Sequence, residues 1–208
     1  MFMKVGEKCI NSLINVLDDG SKIDEEKTIS SVAAKTLISL GEQVIDPLID
    51  VIKDENNAWI LRREAANILA VVCKETGNKK PLEVFINILK DKDSVLRSEA
   101  IAGLGVIGGE KAYKILFETL NDSDEKVYLK ANVALALGYI GRKESLDSLA
   151  DLLDAFKYEE NKEAVVLKNN VIWAIWNIAN YDKVNADKTV EELPDVPKDR
   201  FYANPEVM

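Results

Sequence analysis

Two carboxylates, Glu64 and Glu99, stand at the same position of two similar sequence segments. Carboxylates that lie close together can act as acid–base catalysts or bind a cation. Asparagine takes this position in the next two segments, as Asn132 and Asn170, so no third acid joins the pair. The chain contains no histidine, which removes the commonest general base and excludes every histidine-ligated metal site. We therefore predict no catalytic residue, no metal site and no cofactor.

A basic side chain stands two positions before each of these four residues. Such a column, repeated along an array of helices, can bind an anionic ligand. Acidic residues precede every copy, however, and these can cap the following helix or pair with the base. We therefore favour a structural ladder over a binding site for these four side chains: Arg62, Arg97, Lys130 and Lys168.

The segments that carry these residues are copies of one repeat. Each copy has two helical patterns, such as residues 44–54 and 61–69, in which apolar residues recur three and four positions apart. Glycines such as Gly41 and Gly141 follow the second pattern, where they suit the left-handed turn after a helix. No strand pattern appears. The copies occupy about residues 7–41, 42–78, 79–109, 110–142 and 143–180, and a proline-containing tail follows at residues 181–208.

A two-helix unit of this size cannot bury both of its apolar faces alone. Stacking the units side by side buries these faces in one continuous core. The sequence therefore predicts an all-α fold, a right-handed α-solenoid of about five helix hairpins. We expect residues 1–180 to form this domain and residues 181–208 to form an irregular C-terminal tail.

Residues 93–100, DSVLRSEA, followed by LGVIG at residues 104–108, resemble the HEAT repeat in its short, phycobilisome-lyase-like variant. Residues 127–130, VYLK, followed by LGYIG at residues 137–141, are similar. The resemblance extends over about residues 7–180. It implies a convex layer of first helices and a concave layer of second helices, which usually holds another protein. HEAT arrays serve many unrelated roles, so the resemblance indicates the fold better than the function.

The second helix of the last copy carries an aromatic and polar face. Its apolar stripe includes Leu167 and Val171, and on the opposite face Trp173 is surrounded by asparagines. Tryptophan is enriched at interface hot spots, and asparagine supplies adaptable hydrogen bonds. The preceding copy has Leu135 and Tyr139 at the corresponding positions. We predict that a partner protein binds on the concave face to Leu135, Tyr139, Asn170, Trp173, Trp176 and Asn177.

The C-terminal tail offers an alternative explanation for these aromatic residues. The last unit of a solenoid has no following neighbour, so its tryptophans can instead pack under the tail. The tail carries Leu193, Phe201 and Tyr202 among three prolines, a composition that suits an extended segment on a surface. The sequence favours neither alternative, and both hold if a partner displaces the tail.

Composition limits the kinds of partner. With 27 basic and 36 acidic residues among 208, the chain has a net charge of −9, which argues against nucleic acid and anionic membranes as partners. A slightly basic stretch at residues 58–114 is best explained as solvated surface. Cys9 and Cys73 have no metal-ligand spacing, so we expect reduced, semi-buried packing residues. Neither a signal peptide nor an apolar run of ~20 residues is present, and we expect a cytoplasmic protein.

The function predicted from these features is contact with another protein. We expect a non-catalytic scaffold or adaptor, such as an assembly factor, a chaperone or a regulatory subunit. The alternative, which the resemblance to bilin lyases leaves open, is a lyase-type or other modifying-enzyme subunit that is active only with a second chain. Another branch of the family hydroxylates a modified lysine with iron held by His-Glu pairs, and the absence of histidine excludes that chemistry here.

Overall fold

The computed structural model describes residues 6–23, 27–90 and 94–181, and this part of the chain is helical. It contains ten α-helices, two short 3-10 helices and no β-strand beyond one isolated bridge between Lys22 and Thr28. The predicted all-α class is therefore confirmed. None of these helices is long and apolar enough to cross a membrane. The chain divides into two compact units, Met1–Gly103 and Leu104–Met208, and residues 182–208 of the predicted tail lie outside the described residues.

The first unit consists of helices that pack in pairs. Their bounds are α1 Glu7–Ile14, α2 Ile29–Ser39, α3 Ile45–Lys53, α4 Trp59–Thr76, α5 Leu82–Ile88 and α6 Ser94–Ile107, with a 3-10 helix at Gly41–Val44; α6 continues into the second unit. Helix α1 packs on α2, α3 packs on α4, and the second helices α2 and α4 pack on each other. Thr28 caps the N-terminus of α2 in a capping box. Its side-chain oxygen accepts a hydrogen bond from the backbone N–H of Ser31, and the side-chain oxygen of Ser31 accepts one from the backbone N–H of Thr28.

The second unit repeats this arrangement. Its further helices are α7 Gly109–Asn121, α8 Val127–Ile140, α9 Leu146–Ala155 and α10 Lys162–Ala179, with a 3-10 helix at Lys143–Ser145. Helix α7 packs on α8, α9 packs on α10, and the most extensive packing joins α8 to α10. Helix α8 is apolar on almost every side, and a helix of that composition must be surrounded by other elements.

Glycine ends two of the second helices as the sequence predicts. Gly77 follows α4 with φ 70° and Gly141 follows α8 with φ 75°, both in the left-handed region that other residues rarely adopt. Their N–H groups donate to the carbonyl oxygens of Cys73 and Leu137, which lie in the last turns of the two helices. The chain can therefore turn sharply towards the next first helix.

The two cysteines differ in burial. Both are free, but Cys9 is exposed whereas Cys73 is buried. The expectation of a semi-buried Cys9 is therefore wrong, because α1 buries only Ile10 and Ile14 and turns Cys9 to solvent. Burial raises the pKa of the Cys73 thiol to about 12, so this side chain stays protonated and acts as a small apolar residue.

Candidate functional site

Helices α8 and α10 approach each other closely because small residues lie between them. A Cβ atom placed on Gly138 would lie 2.8 Å from Cζ3 of Trp173 and 2.9 Å from Cα of Ala174. Neither distance is possible for a real side chain, so glycine is required for this helix spacing. The indole of Trp173 fills the space above Gly138 and contacts Tyr139, with ring centroids 4.9 Å apart.

Four of the six predicted partner-binding residues are buried in this helix pair. The side chain of Trp173 is only 6% exposed, so it cannot meet a partner. The prediction of a solvent-facing strip is wrong at these positions, because the face of α10 opposite its apolar stripe packs on α8. The four buried residues are Leu135, Asn170, Trp173 and Asn177.

The two buried asparagines bind the backbone of α8. Nδ2 of Asn177 donates to the carbonyl oxygen of Gly138 at 2.7 Å, and Nδ2 of Asn170 donates to that of Ala131 at 3.1 Å. Gly138 is among the last four residues of α8, whose carbonyls have no partner within their own helix. Asn177 therefore satisfies an end group of α8 from the neighbouring helix.

We expect Asn177→Ala to lower the free energy of unfolding by about 1–3 kcal/mol, because it leaves the buried Gly138 carbonyl without its donor. Asn169→Ala is the matched control, since Asn169 is an exposed asparagine of the same helix and should change stability by less than about 0.5 kcal/mol. Urea unfolding followed by circular dichroism measures both variants. Equal midpoints for the two would contradict the structural role of Asn177.

Other side chains of α8 and α10 remain accessible. Tyr139 is 43% exposed, and burial of the remainder raises the pKa of its phenol. Trp176 is partly exposed, while Ile172 and Val165 are 53% and 42% exposed. Tyr139 and Trp176 are among the residues predicted from the sequence, whereas Val165 and Ile172 are not. Val165 and Ile172 are seven positions apart and therefore lie on the same face of α10 as Trp176. This spacing could have identified them from the sequence.

The basic column makes contacts of a structural kind. Nε of Arg62 donates to the carbonyl oxygen of Ile52 at 3.0 Å, at the end of the preceding helix α3. Nζ of Lys168 donates to the carbonyl oxygen of Glu159 at 2.6 Å, in the loop before α10. Arg62 thus binds the last turn of the first helix of its repeat, and Lys168 binds the loop between the two helices of its repeat. The other two members, Arg97 and Lys130, are partly buried.

The carboxyl groups of Glu64 and Glu99 lie near enough to influence each other, but their environments differ. Glu99 is 5% exposed, and its burial raises its pKa to about 8; the charge of Arg63 lowers this pKa and that of Glu64 raises it. Glu64 instead accepts a hydrogen bond from Nε of Arg63 at 3.2 Å, and this guanidinium lies over the ring of Trp59. One carboxylate is thus paired and the other carboxyl is neutral near pH 7. Among the described residues, no group of three or more acids or cysteines could hold a metal ion.

The repeated helix pairs and the matched column of side chains agree with the comparison with known families. The profile of the HEAT repeats matches residues 45–131 and, in an overlapping register, residues 82–168. The chain belongs to the HEAT-repeat family. The predicted family is thus confirmed, and the chain is a helical repeat scaffold.

One curated relative of this HEAT-repeat protein is an enzyme. Deoxyhypusine hydroxylase of Schizosaccharomyces pombe (strain 972 / ATCC 24843) is 30% identical over 110 residues, which are 52% of this chain and 34% of that protein. The chain therefore matches about one third of the length of this relative. The similarity supports common repeats and does not establish a common activity.

Proposed function

We propose that this HEAT-repeat protein is a non-catalytic scaffold that binds a partner protein at Tyr139. The observation that carries the proposal is an exposed tyrosine held against a buried tryptophan. Tyr139 is 43% exposed, and its ring lies 4.9 Å from that of Trp173, which the packing of α8 on α10 fixes in place. An aromatic side chain that is already ordered loses little entropy on binding, and such residues are frequent hot spots.

The chemistry of this site favours an apolar or aromatic side chain from the partner. Burial raises the pKa of Tyr139, so the phenol is neutral at physiological pH and can donate one hydrogen bond. Asn180, which donates to the backbone of its own helix, and the half-buried Trp176 lie on α10 near this end of the helix. No charged residue occurs between residues 169 and 181. We therefore propose that this site recognises its partner by shape and apolar contact.

The state of the two carboxyl groups supports a scaffold without catalysis. Glu64 is engaged by Arg63, and Glu99 is protonated in a buried position, so the two do not form an accessible pair of carboxylates. The chain has no histidine. The similarity to deoxyhypusine hydroxylase covers 34% of that enzyme, too small a share to support its activity here.

Photo-cross-linking at Tyr139 tests the proposal. The photoreactive residue p-benzoylphenylalanine replaces Tyr139 in the full chain, which is then expressed in cells of the source organism and irradiated. The matched control places it at Tyr158, an exposed tyrosine in the loop after α9. We expect a discrete adduct with another polypeptide from position 139 only. No adduct at 139, equal adducts at both positions, or an adduct only with the chain itself would contradict the proposal.

A further inference from the structure

A buried asparagine joins the backbones of two neighbouring second helices in the second unit. Nδ2 of Asn170 in α10 donates to the carbonyl oxygen of Ala131 in α8 at 3.1 Å, and both residues are buried. An asparagine can form this bond because its amide nitrogen carries hydrogen atoms. A carboxylate carries none and has only acceptor oxygens, so an ionised acid cannot take the place of the asparagine in such a contact.

A glutamate occupies the corresponding position in the first unit. Glu99 in α6 lies two positions after the basic residue of its repeat, as Asn170 does. Arg63 in α4 lies one position after its own basic residue, as Ala131 does. The charges of Arg63 and Glu64 act on Glu99, so α4 is the helix beside it, and all three residues belong to the first unit. The backbone carbonyl of Arg63 is therefore the counterpart of the acceptor in α8.

The environment of Glu99 favours the acid form of its carboxyl group. The residue is 5% exposed, its Oε2 atom is buried, and no group in the part of the chain that the structure describes donates a hydrogen bond to that atom. The guanidinium of Arg63 donates to Glu64 instead. A buried carboxylate oxygen without a donor is costly, whereas a carboxylic acid oxygen can carry the proton and become a donor itself. Oε2 then needs an acceptor.

We propose that the protonated carboxyl of Glu99 donates a hydrogen bond to the backbone carbonyl of Arg63, so that one proton joins α6 to α4. The length of the glutamate side chain fits this contact. Ala70 in α4 stands at the position of Gly138 in α8, where a Cβ would lie only 2.9 Å from the backbone of α10. Packed in the same register, α4 and α6 must therefore lie further apart than α8 and α10. Glutamate is one methylene longer than asparagine and spans the wider gap.

This hydrogen bond is sensitive to pH because it requires the proton. Burial raises the pKa of Glu99 to about 8; of the charged groups of α4, Arg63 lowers this pKa and Glu64 raises it. Helix α5, which packs against Gly103 through Phe85, contributes no charge that acts on Glu99. Above this pH the carboxylate faces a carbonyl oxygen, and two acceptors repel each other. The link between α4 and α6 is thus a pH-sensitive switch, whereas the asparagine link of α10 does not titrate.

Infrared spectroscopy of the full chain tests whether the proton is present. Exposed carboxyl groups are ionised at about pH 6.5, so a carboxylic acid C=O band at this pH reports a buried protonated group. We expect one such band in the unmodified chain, with a titration midpoint near pH 8, and its loss in Glu99→Gln. Glu118→Gln, which removes an exposed carboxylate, is the matched control and should retain the band. The absence of the band, or its survival in Glu99→Gln, would overturn the proposal.

Nuclear magnetic resonance identifies the acceptor. In Glu99→Gln the side-chain amide replaces the O–H donor, so with ¹⁵N-labelled glutamine and ¹³C-carbonyl-labelled arginine we expect a scalar coupling between this amide nitrogen and the Arg63 carbonyl carbon. Adding Arg63→Lys removes the label but keeps the carbonyl, so the signal should vanish. Gln43, the one native glutamine, donates to Leu40 and should show no such coupling. No coupling, or one that survives Arg63→Lys, would refute the assigned acceptor; neither readout involves the proposed partner site.

Discussion

Replacing Trp173 by alanine is expected to lower the free energy of unfolding by about 3–5 kcal/mol, the range found for truncation of large buried aromatic residues. The side chain is 6% exposed and covers Gly138, which has no side chain of its own to fill the space. The variant also removes the ring that supports Tyr139. Urea unfolding followed by far-ultraviolet circular dichroism measures the loss without relying on tryptophan fluorescence.

The control for this variant is another tryptophan with a different environment. Trp59 begins α4, is half exposed and contacts the guanidinium of Arg63, so Trp59→Ala should cost no more than about 1 kcal/mol. A surface role for Trp173, as sequence analysis predicts, requires the stability of Trp173→Ala to match that of the unmodified chain. Such a result would contradict the packing of α8 on α10 described above.

The helix-hairpin repeat could be predicted because its signals are local. Apolar residues at helical spacing define each helix, and glycine at the end of a helix, such as Gly77 and Gly141, adopts a left-handed conformation that few other residues tolerate. The basic column is also local, since Arg62 and Lys168 bind carbonyls that lie ten and nine residues before them. None of these features requires knowledge of which helix lies beside which.

Which residues of α10 stay accessible could not be predicted in the same way, because their exposure depends on neighbouring helices. The periodicity of α10 distinguishes an apolar stripe from the rest, but a second helix of a repeat array is contacted by its own first helix and by the adjacent second helices. Asn170 and Asn177 are polar and nevertheless buried, since the backbone of α8 supplies their hydrogen-bond acceptors. The small residues at Gly138 and Ala174 were the sequence signal of this contact.

The ionisation states of Glu64 and Glu99 are a second feature that the repeat pattern of the sequence cannot predict. Alignment of the repeats brings the two carboxyl groups together, and the structure agrees, since the charge of Glu64 raises the pKa of Glu99. Which of them is neutral depends on burial and on Arg63. Arg63 pairs with Glu64, and Glu99 is left in the interior.

This arrangement predicts that stability depends on pH through Glu99. Burial raises its pKa from 4.5 to about 8, so between these values the folded chain holds a proton that the unfolded chain has released. The free energy of unfolding therefore falls as pH rises through this range, by up to about 1.4 kcal/mol per pH unit. Glu99→Gln, which resembles the protonated carboxyl, should match the unmodified chain near pH 5 and exceed it near pH 8 by on the order of 3 kcal/mol.

Urea unfolding at a series of pH values between 5 and 9 measures this difference, with two further variants as comparisons. Glu118→Gln removes an exposed carboxylate of α7 and should leave the pH dependence of stability unchanged. Glu64→Gln should lower the pKa of Glu99, because it removes a repulsive charge and leaves the attraction of Arg63. The free energy of unfolding should then stop falling at a lower pH than in the unmodified chain. If Glu99→Gln and the unmodified chain lose stability in parallel from pH 5 to pH 8, Glu99 is ionised in the folded protein and the neutral state assigned to it is wrong.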